Sequence, residues 1–243
     1  MLALIDADLV LFRVGFTTEN DAEWIARARA NEMIEGILLD TQASEFECWL
    51  SDARENTFRW QLWNGYKANR VKPKPVHYDF IKELLITEWD TRIAHGMEAD
   101  DALGIGQRYN PDILSSSKKT VICSIDKDLM QIPGLHYNFV KKEWSEVTPI
   151  EGERSFYRSI LVGDVSDNIK GCRGIGPVKA HKAIDELFDR SDYLEAIFTL
   201  YLQQEVEKTT EEILQHILLA GRLLKIKQEQ EEQLWSFPVV FAI

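Results

Sequence analysis

Nine carboxylates, Asp6, Asp52, Glu98, Asp100, Asp101, Asp126, Asp128, Asp164 and Asp167, stand where the local pattern reads as a strand end or a helix start. Gathered together, so many acids would repel one another severely unless divalent cations neutralised them. No histidine joins them at ligand spacing, which disfavours zinc. All-oxygen donors with retained waters suit Mg²⁺ or Mn²⁺. Two such ions about 4 Å apart would serve in-line hydrolysis of a phosphodiester. Each group also has a plainer reading. Acids in the first turn of a helix are favoured by its dipole, so capping accounts for one or two of Glu98, Asp100 and Asp101, and three exceed that need. Glu98 and Asp100 lie about 200° apart on a regular helix, so the three converge only if Glu98 precedes it. Asp164 and Asp167, three residues apart, would share one side of a helical turn or mark an exposed acidic turn.

Two further stretches carry chemistry. After Asp167 come Gly171, Gly174 and Gly176, then Pro177 and a run of helix formers containing Lys179 and Lys182. Glycines admit close backbone approach and Pro suits a first helical turn, so converging N–H groups would make an anion site. An ordinary helix start is the bland alternative. Residues 57–75 interleave Arg59, Lys67, Arg70, Lys72 and Lys74 with Phe58, Trp60, Trp63 and Tyr66, and hold no acid. That mixture suits phosphate contact with base stacking; a solvated basic loop with its aromatics in the core is the rival.

The elements that must position these groups alternate in kind. Residues 2–7 read as a buried parallel strand, which places acids where open α/β sheets bind ligands. Strands are expected also at 45–50, 91–94, 120–125 and 135–140, with 144–150 a connection. Helices are expected at 21–40 and 76–88. From 151 onward the pattern is wholly helical, with helices over 154–162, 178–188, 191–204 and 210–227 and an apolar tail, 234–243, packed back on the body.

The chain has 243 residues, 45% hydrophobic and 28% charged, as in a soluble globular protein of one large domain or one with an appendage. No apolar run is long enough to span a membrane and no secretory signal is expected. The cysteines, Cys48, Cys123 and Cys172, lack metal-type spacing and are expected as free thiols in a reducing cytoplasm. The net charge of −12 decides nothing about nucleic acid, because bound cations would reverse the sign locally.

The pieces LIDAD, SDARENTFRWQLWNGYKANR, GMEADD, SIDKDLMQI and GDVSDNIKGCRGIGPVKA, in that order, resemble the 5′-nuclease superfamily. It comprises flap endonucleases, phage 5′→3′ exonucleases and the 5′-nuclease domain of bacterial DNA polymerase I, and the compact YKANRVKPKP region looks most like a phage exonuclease. The resemblance implies that the nine acids are metal ligands, holding two Mg²⁺ or Mn²⁺ ions. It implies that Tyr66, Lys67 and Arg70 belong to a helical arch, with Lys67 and Arg70 engaging the scissile phosphate and Tyr66 contacting DNA. It makes Gly171, Gly174, Gly176, Lys179 and Lys182 part of a helix–three-turn–helix that grips duplex backbone, with K⁺ as a further ion. Asp8 is left unassigned.

The expected fold is thus α/β: a largely parallel central sheet flanked by helices over residues 1–148, with an arch at 57–75, and a helical DNA-binding region over 149–243. The expected activity is metal-dependent 5′→3′ exonuclease and flap cleavage of DNA, with RNA in RNA–DNA hybrids as a second substrate class. The expected partner is DNA with 5′ ends or flaps; the chain is expected to act as a monomer, with no membrane partner. A related PIN-type ribonuclease and a non-catalytic DNA-structure binder are the rival readings.

Overall fold

The structure, a computed structural model, describes residues 1–107 and 119–237. The chain divides into two compact units: Met1–Phe58 with Lys72–Thr148 and Ile226–Gln230, and Arg59–Val71 with Pro149–Lys225 and Glu231–Ile243. The segment 57–75, expected to stay with the N-terminal core, is therefore divided, and Arg59–Val71 packs in the second unit.

The first unit is built on β1 (Leu2–Asp6). Ala3, Leu4 and Ile5 are fully buried, as an unbroken apolar run must be when a parallel strand has both faces covered. Around it lie β2 (Glu45–Ser51), β3 (Arg92–Ala94), β4 (Thr120–Cys123), β5 (Gly134–Asn138) and β6 (Glu143–Val147), in the order β3-β2-β1-β4-β5-β6. All pairs are parallel except β5 with β6. The residues expected as a mere connection thus form an antiparallel edge strand. Four of its five residues are exposed, and a polar edge strand lacks the apolar signature that betrays a buried one.

Alternation along the strands sorts the core. Ala3, Ile5, Cys48, Leu50, Val121 and Cys123 pack with α1 (Ala7–Thr17), α2 (Glu23–Thr41) and α4 (Tyr78–Glu88). Leu4 and Ile122 pack instead with Leu103 of α5 (Ala99–Gly106) and Ile226. α1 was absent from the expected elements. It starts on the residue after β1 with no turn residue between, so strand and helix merge into one apolar stretch. The chain leaves β1 towards β2 and β3, then returns through α5 to β4 on the other side. The strand order therefore reverses beside β1, and that is where open α/β sheets hold ligands at their carboxyl ends.

The second unit begins with the short helix α3, Phe58–Leu62, of which Arg59–Leu62 belong here. It continues with α6 (Pro149–Val162), a two-residue-per-strand hairpin of β7 (Gly163–Asp164) and β8 (Ile169–Lys170), α7 (Pro177–Ile184), α8 (Arg190–Gln204) and α9 (Thr210–Leu224). The hairpin corrects the expectation of an all-helical region. Its ends approach so closely that a Cβ on Gly171 would lie 2.3 Å from the Val162 carbonyl carbon, and Gly163 holds φ at 72°. Ile160, Ile184, Tyr193, Ile197, Tyr201 and Ile217 form the fully buried centre. Trp235 packs back into this core against Phe156; the rest of the expected apolar tail, 238–243, lies outside the described residues. Among the described residues no helix is long and apolar enough to cross a membrane.

Candidate active site

Asp6 ends β1 and caps α1, accepting a hydrogen bond from the Leu9 amide at 3.2 Å and one from the Ser124 hydroxyl at 2.9 Å. It is only 3% exposed. Burial and the neighbouring charge of Asp8 push its carboxyl up to about 7, Asp126 adding to the effect while the Ser124 and Leu9 hydrogen bonds oppose it. Asp8, on the first turn of α1, accepts from both the amide and the hydroxyl of Ser51. Asp126 follows β4 and accepts from the Asp128 amide at 2.8 Å. Its own amide donates to the Ser124 hydroxyl at 3.0 Å. Ser124 therefore ties the ends of β1 and β4 together at the reversal of strand order.

Ser51 does the same work on the other side of β1. Its hydroxyl donates to Asp8 and accepts from the Ala99 amide at 2.9 Å, joining the end of β2 to α1 and to the start of α5. These two serines and Asp8 were not among the expected site residues. Their signal was present: Ser51 directly precedes Asp52, and Ser124 stands two before Asp126.

Glu98 is the N-cap of α5 and forms a capping box with Asp101. Asp101 is fully buried; its carboxylate accepts from the Glu98 amide at 3.2 Å and from the Lys227 amide at 3.0 Å. Capping thus claims two of the three acids, and Asp100 lies half-buried between them on the first turn. Asp52 accepts from the amides of Gly96 and Ala53 and from the Asn56 side chain. The Gly96 and Asn56 hydrogen bonds hold its carboxyl below the usual range.

In the second unit Asp164 and Asp167 occupy the hairpin and its turn, not one side of a helical turn. Asp164 accepts from the Ser166 and Asp167 amides. Asp167 is the centre of a cationic cluster: the Tyr66 hydroxyl donates to it at 3.0 Å, Lys67 Nζ lies 3.7 Å away and Arg70 pairs with it directly. The two loops are zipped further by Asn69 to the Val165 carbonyl and Asn168 to the Gly65 carbonyl.

Three expectations are corrected here. Lys67 and Arg70 are not on a helix, because residues 64–69 run in turns and Lys67 holds φ at 54°. Tyr66 is 2% exposed, so its ring belongs to the core and offers no face to a base. Arg59, one of the cations in the basic stretch, is buried and donates to the Leu223 and Lys225 carbonyls, closing the C-terminal end of α9.

Around α7, Gly174 holds φ at 72° with the Gln204 side-chain oxygen 3.7 Å from where a Cβ would lie, and Gly176 has open space beside it. Gly171 is a packing glycine instead. Lys179 donates to the Gly174 carbonyl at 2.8 Å, and Lys179 and Lys182 are exposed.

Among the described residues no three side chains stand grouped so as to hold a metal ion as they are. The chemistry of the donor set nonetheless fits one: around Asp6 it is oxygen only, and Asp6 is a buried acid facing two more acids, which a hard cation would relieve.

Residues 1–156 match the family described as 5'-3' exonuclease, N-terminal resolvase-like domain. A 5'-3' exonuclease of Bacillus subtilis is 28% identical over 213 residues, covering 76% of this chain and 70% of that protein. DNA polymerase I of Deinococcus radiodurans is 28% identical over 207 residues, covering 76% of this chain, which spans only 21% of the polymerase. The fold is that of the bacteriophage T5 flap endonuclease solved as a pseudo-enzyme–product complex with DNA and metal ions, with a TM-score of 0.68 at 17% identity over 90% of this chain and 88% of that one. With 156 of its 243 residues matched, the chain belongs to the 5'-3' exonuclease family.

Proposed function

We propose that this chain is a divalent-metal-dependent 5′→3′ exonuclease and flap endonuclease acting on DNA. The observation that carries the reading is Asp6, an acid buried where the strand order reverses, beside the charges of Asp8 and Asp126. Two divalent cations, Mg²⁺ or Mn²⁺, would activate a water and stabilise the charge developing on phosphate and leaving oxygen when bound. Asp6, Asp52, Glu98, Asp100, Asp126 and Asp128, all of the first unit, would hold them. Asp101, with backbone amides on its carboxylate, braces the start of α5. Asp8 orients the Ser51 hydroxyl, which in turn fixes the Ala99 amide and with it the direction in which Glu98 and Asp100 leave the helix start.

Lys67 and Arg70 are the cations for the scissile phosphate, and Asp167 holds both in place. Gly174, Gly176, Lys179 and Lys182 form the duplex-gripping surface. The open space at Gly176 admits a phosphate close to the backbone. A K⁺ ion at this turn would have to compete with Lys179 for the Gly174 carbonyl. RNA–DNA hybrids are the second substrate class. A reducing cytoplasm fits the three cysteines, all buried free thiols.

The test is digestion of end-labelled duplex, 5′-flap and RNA–DNA hybrid substrates with Mg²⁺ and with EDTA. Shortening from the 5′ end and flap release are expected with Mg²⁺ and neither with EDTA. Asp126→Asn is expected to slow cleavage by about two orders of magnitude or more while leaving DNA affinity near wild type. Full activity in EDTA, or in that variant, overturns the reading.

A further inference from the structure

The residues just before the turn that carries Gly174 and Gly176 lie against a buried ionic group. Glu205, at the end of α8, is 3% exposed. It pairs with Lys208 and lies 3.6 Å from His216 of α9. The Arg173 backbone N–H adds the weakest of its favourable interactions. Burial alone would push this carboxyl up, but its contact with Lys208, with a smaller contribution from the Arg173 amide, outweighs it and keeps it below its usual range. His216 is fixed at both ring nitrogens: Nε2 is 2.9 Å from the Lys170 carbonyl and Nδ1 is 3.1 Å from Lys208 Nζ. A carbonyl partner requires Nε2 to carry the proton, so Nδ1 accepts from Lys208. The ring also stands edge-on to Tyr201, whose hydroxyl donates to the Ile160 carbonyl.

One ionic group therefore contacts the Lys170 carbonyl directly, through His216, and the Arg173 N–H weakly, on either side of Gly171 and Cys172. Beyond Arg173 the chain enters the positive-φ residue Gly174 and then the start of α7. A merely structural salt bridge would tie helix to helix. This one is aimed at a loop, and a buried carboxylate is costly unless its partners are kept in place.

We propose that Glu205, with Lys208 and His216, is a positioning group for duplex binding, presenting the backbone of residues 173–176 and the start of α7 preformed to a DNA phosphate. It rests on the reading that this turn grips the duplex. Glu205 does not touch DNA and takes no part in cleavage; it removes the cost of ordering the loop at the moment of binding.

The experiment compares the full-length protein with Glu205→Gln, Lys208→Met and Gly174→Val, using a blunt DNA duplex, by equilibrium binding, single-turnover cleavage and amide hydrogen exchange. Glu205→Gln keeps shape and loses charge. It is expected to raise the duplex Kd about tenfold and to lower the saturated single-turnover rate less than about twofold. Exchange is expected to quicken across 170–176 and not across α6 or the centre of α9. Lys208→Met, at a more exposed position, should shift the same readouts in the same direction, and serves if Glu205→Gln does not fold. Unchanged exchange and affinity in these variants, with Gly174→Val weakened, overturns the proposal alone. Exchange that quickens throughout the second unit overturns it too, by making Glu205 a general stabiliser. If Gly174→Val binds duplex like the wild type, the turn is not the grip and the proposal falls with that reading.

Discussion

At the scale of single residues, the interleaved cations and aromatics of residues 57–75 have separate employments. Arg59 closes a helix end, Tyr66 is a core residue with a buried hydroxyl on Asp167, and Lys67 and Arg70 share the same carboxylate. None of this was legible locally, because the Tyr66–Asp167 contact joins residues 101 apart in the chain. Tyr66→Phe removes one hydrogen bond and leaves the ring. It is expected to cost about 1 kcal/mol of stability in a denaturant titration, with DNA binding unaltered. A loss of affinity without a loss of stability would return Tyr66 to the DNA surface. Lys67→Met keeps the Cβ, and so the same backbone preference, while deleting the charge. If Lys67 acts on the phosphate in the transition state, single-turnover cleavage of a 5′-flap should fall about tenfold or more, against less than about threefold in Kd. Equal small losses in both would make it a solvated loop cation.

At the scale of elements, most acids stand where a strand ends because the apolar run stops there, and this is why Asp6, Asp52 and Asp126 could be read from sequence. What those acids touch could not be read, since Ser51 and Ser124 act across strands that only the sheet order brings together. Likewise α1 was masked by its direct continuation from β1, and β6 by its polarity. The β7–β8 hairpin was hidden for a different reason: Gly171 was taken as ligand-facing, whereas it and Gly163 pack against each other. A Cβ on Gly171 would press on backbone atoms at 2.3 to 2.5 Å, which cannot swing aside as a side chain can. Gly171→Ala is therefore expected to destabilise by about 1–3 kcal/mol, the usual cost of overpacking. Gly174→Ala meets no close atom but must adopt positive φ, and should cost about 1 kcal/mol. Comparing denaturant midpoints of the two variants checks the order.

At the scale of the whole molecule, the first unit carries a built-in sensitivity to acid. His136 is buried in β5 with Nε2 2.7 Å from the Ile132 carbonyl, and burial holds its pKa below the ordinary histidine value. Above that ordinary value both folded and unfolded chains keep the ring neutral, so stability is unaffected. As pH falls through it, the unfolded chain takes a proton that the folded chain refuses, and stability is lost until the folded pKa is reached. Wild type should thus lose stability relative to His136→Gln as pH falls through the ordinary histidine value of about 6.5, by up to about 1.4 kcal/mol for each unit by which the pKa is depressed. A difference independent of pH would mean that the ring is accessible to solvent. One feature of the same unit bears on how the protein is made. The Lys227 amide closes on the fully buried Asp101, and Ile226 fills the core beside Leu4. Both groups are supplied by residues synthesised more than a hundred positions after α5. The first unit is therefore discontinuous in sequence, and the partners of Asp101 and Leu4 are complete only once that late segment is available.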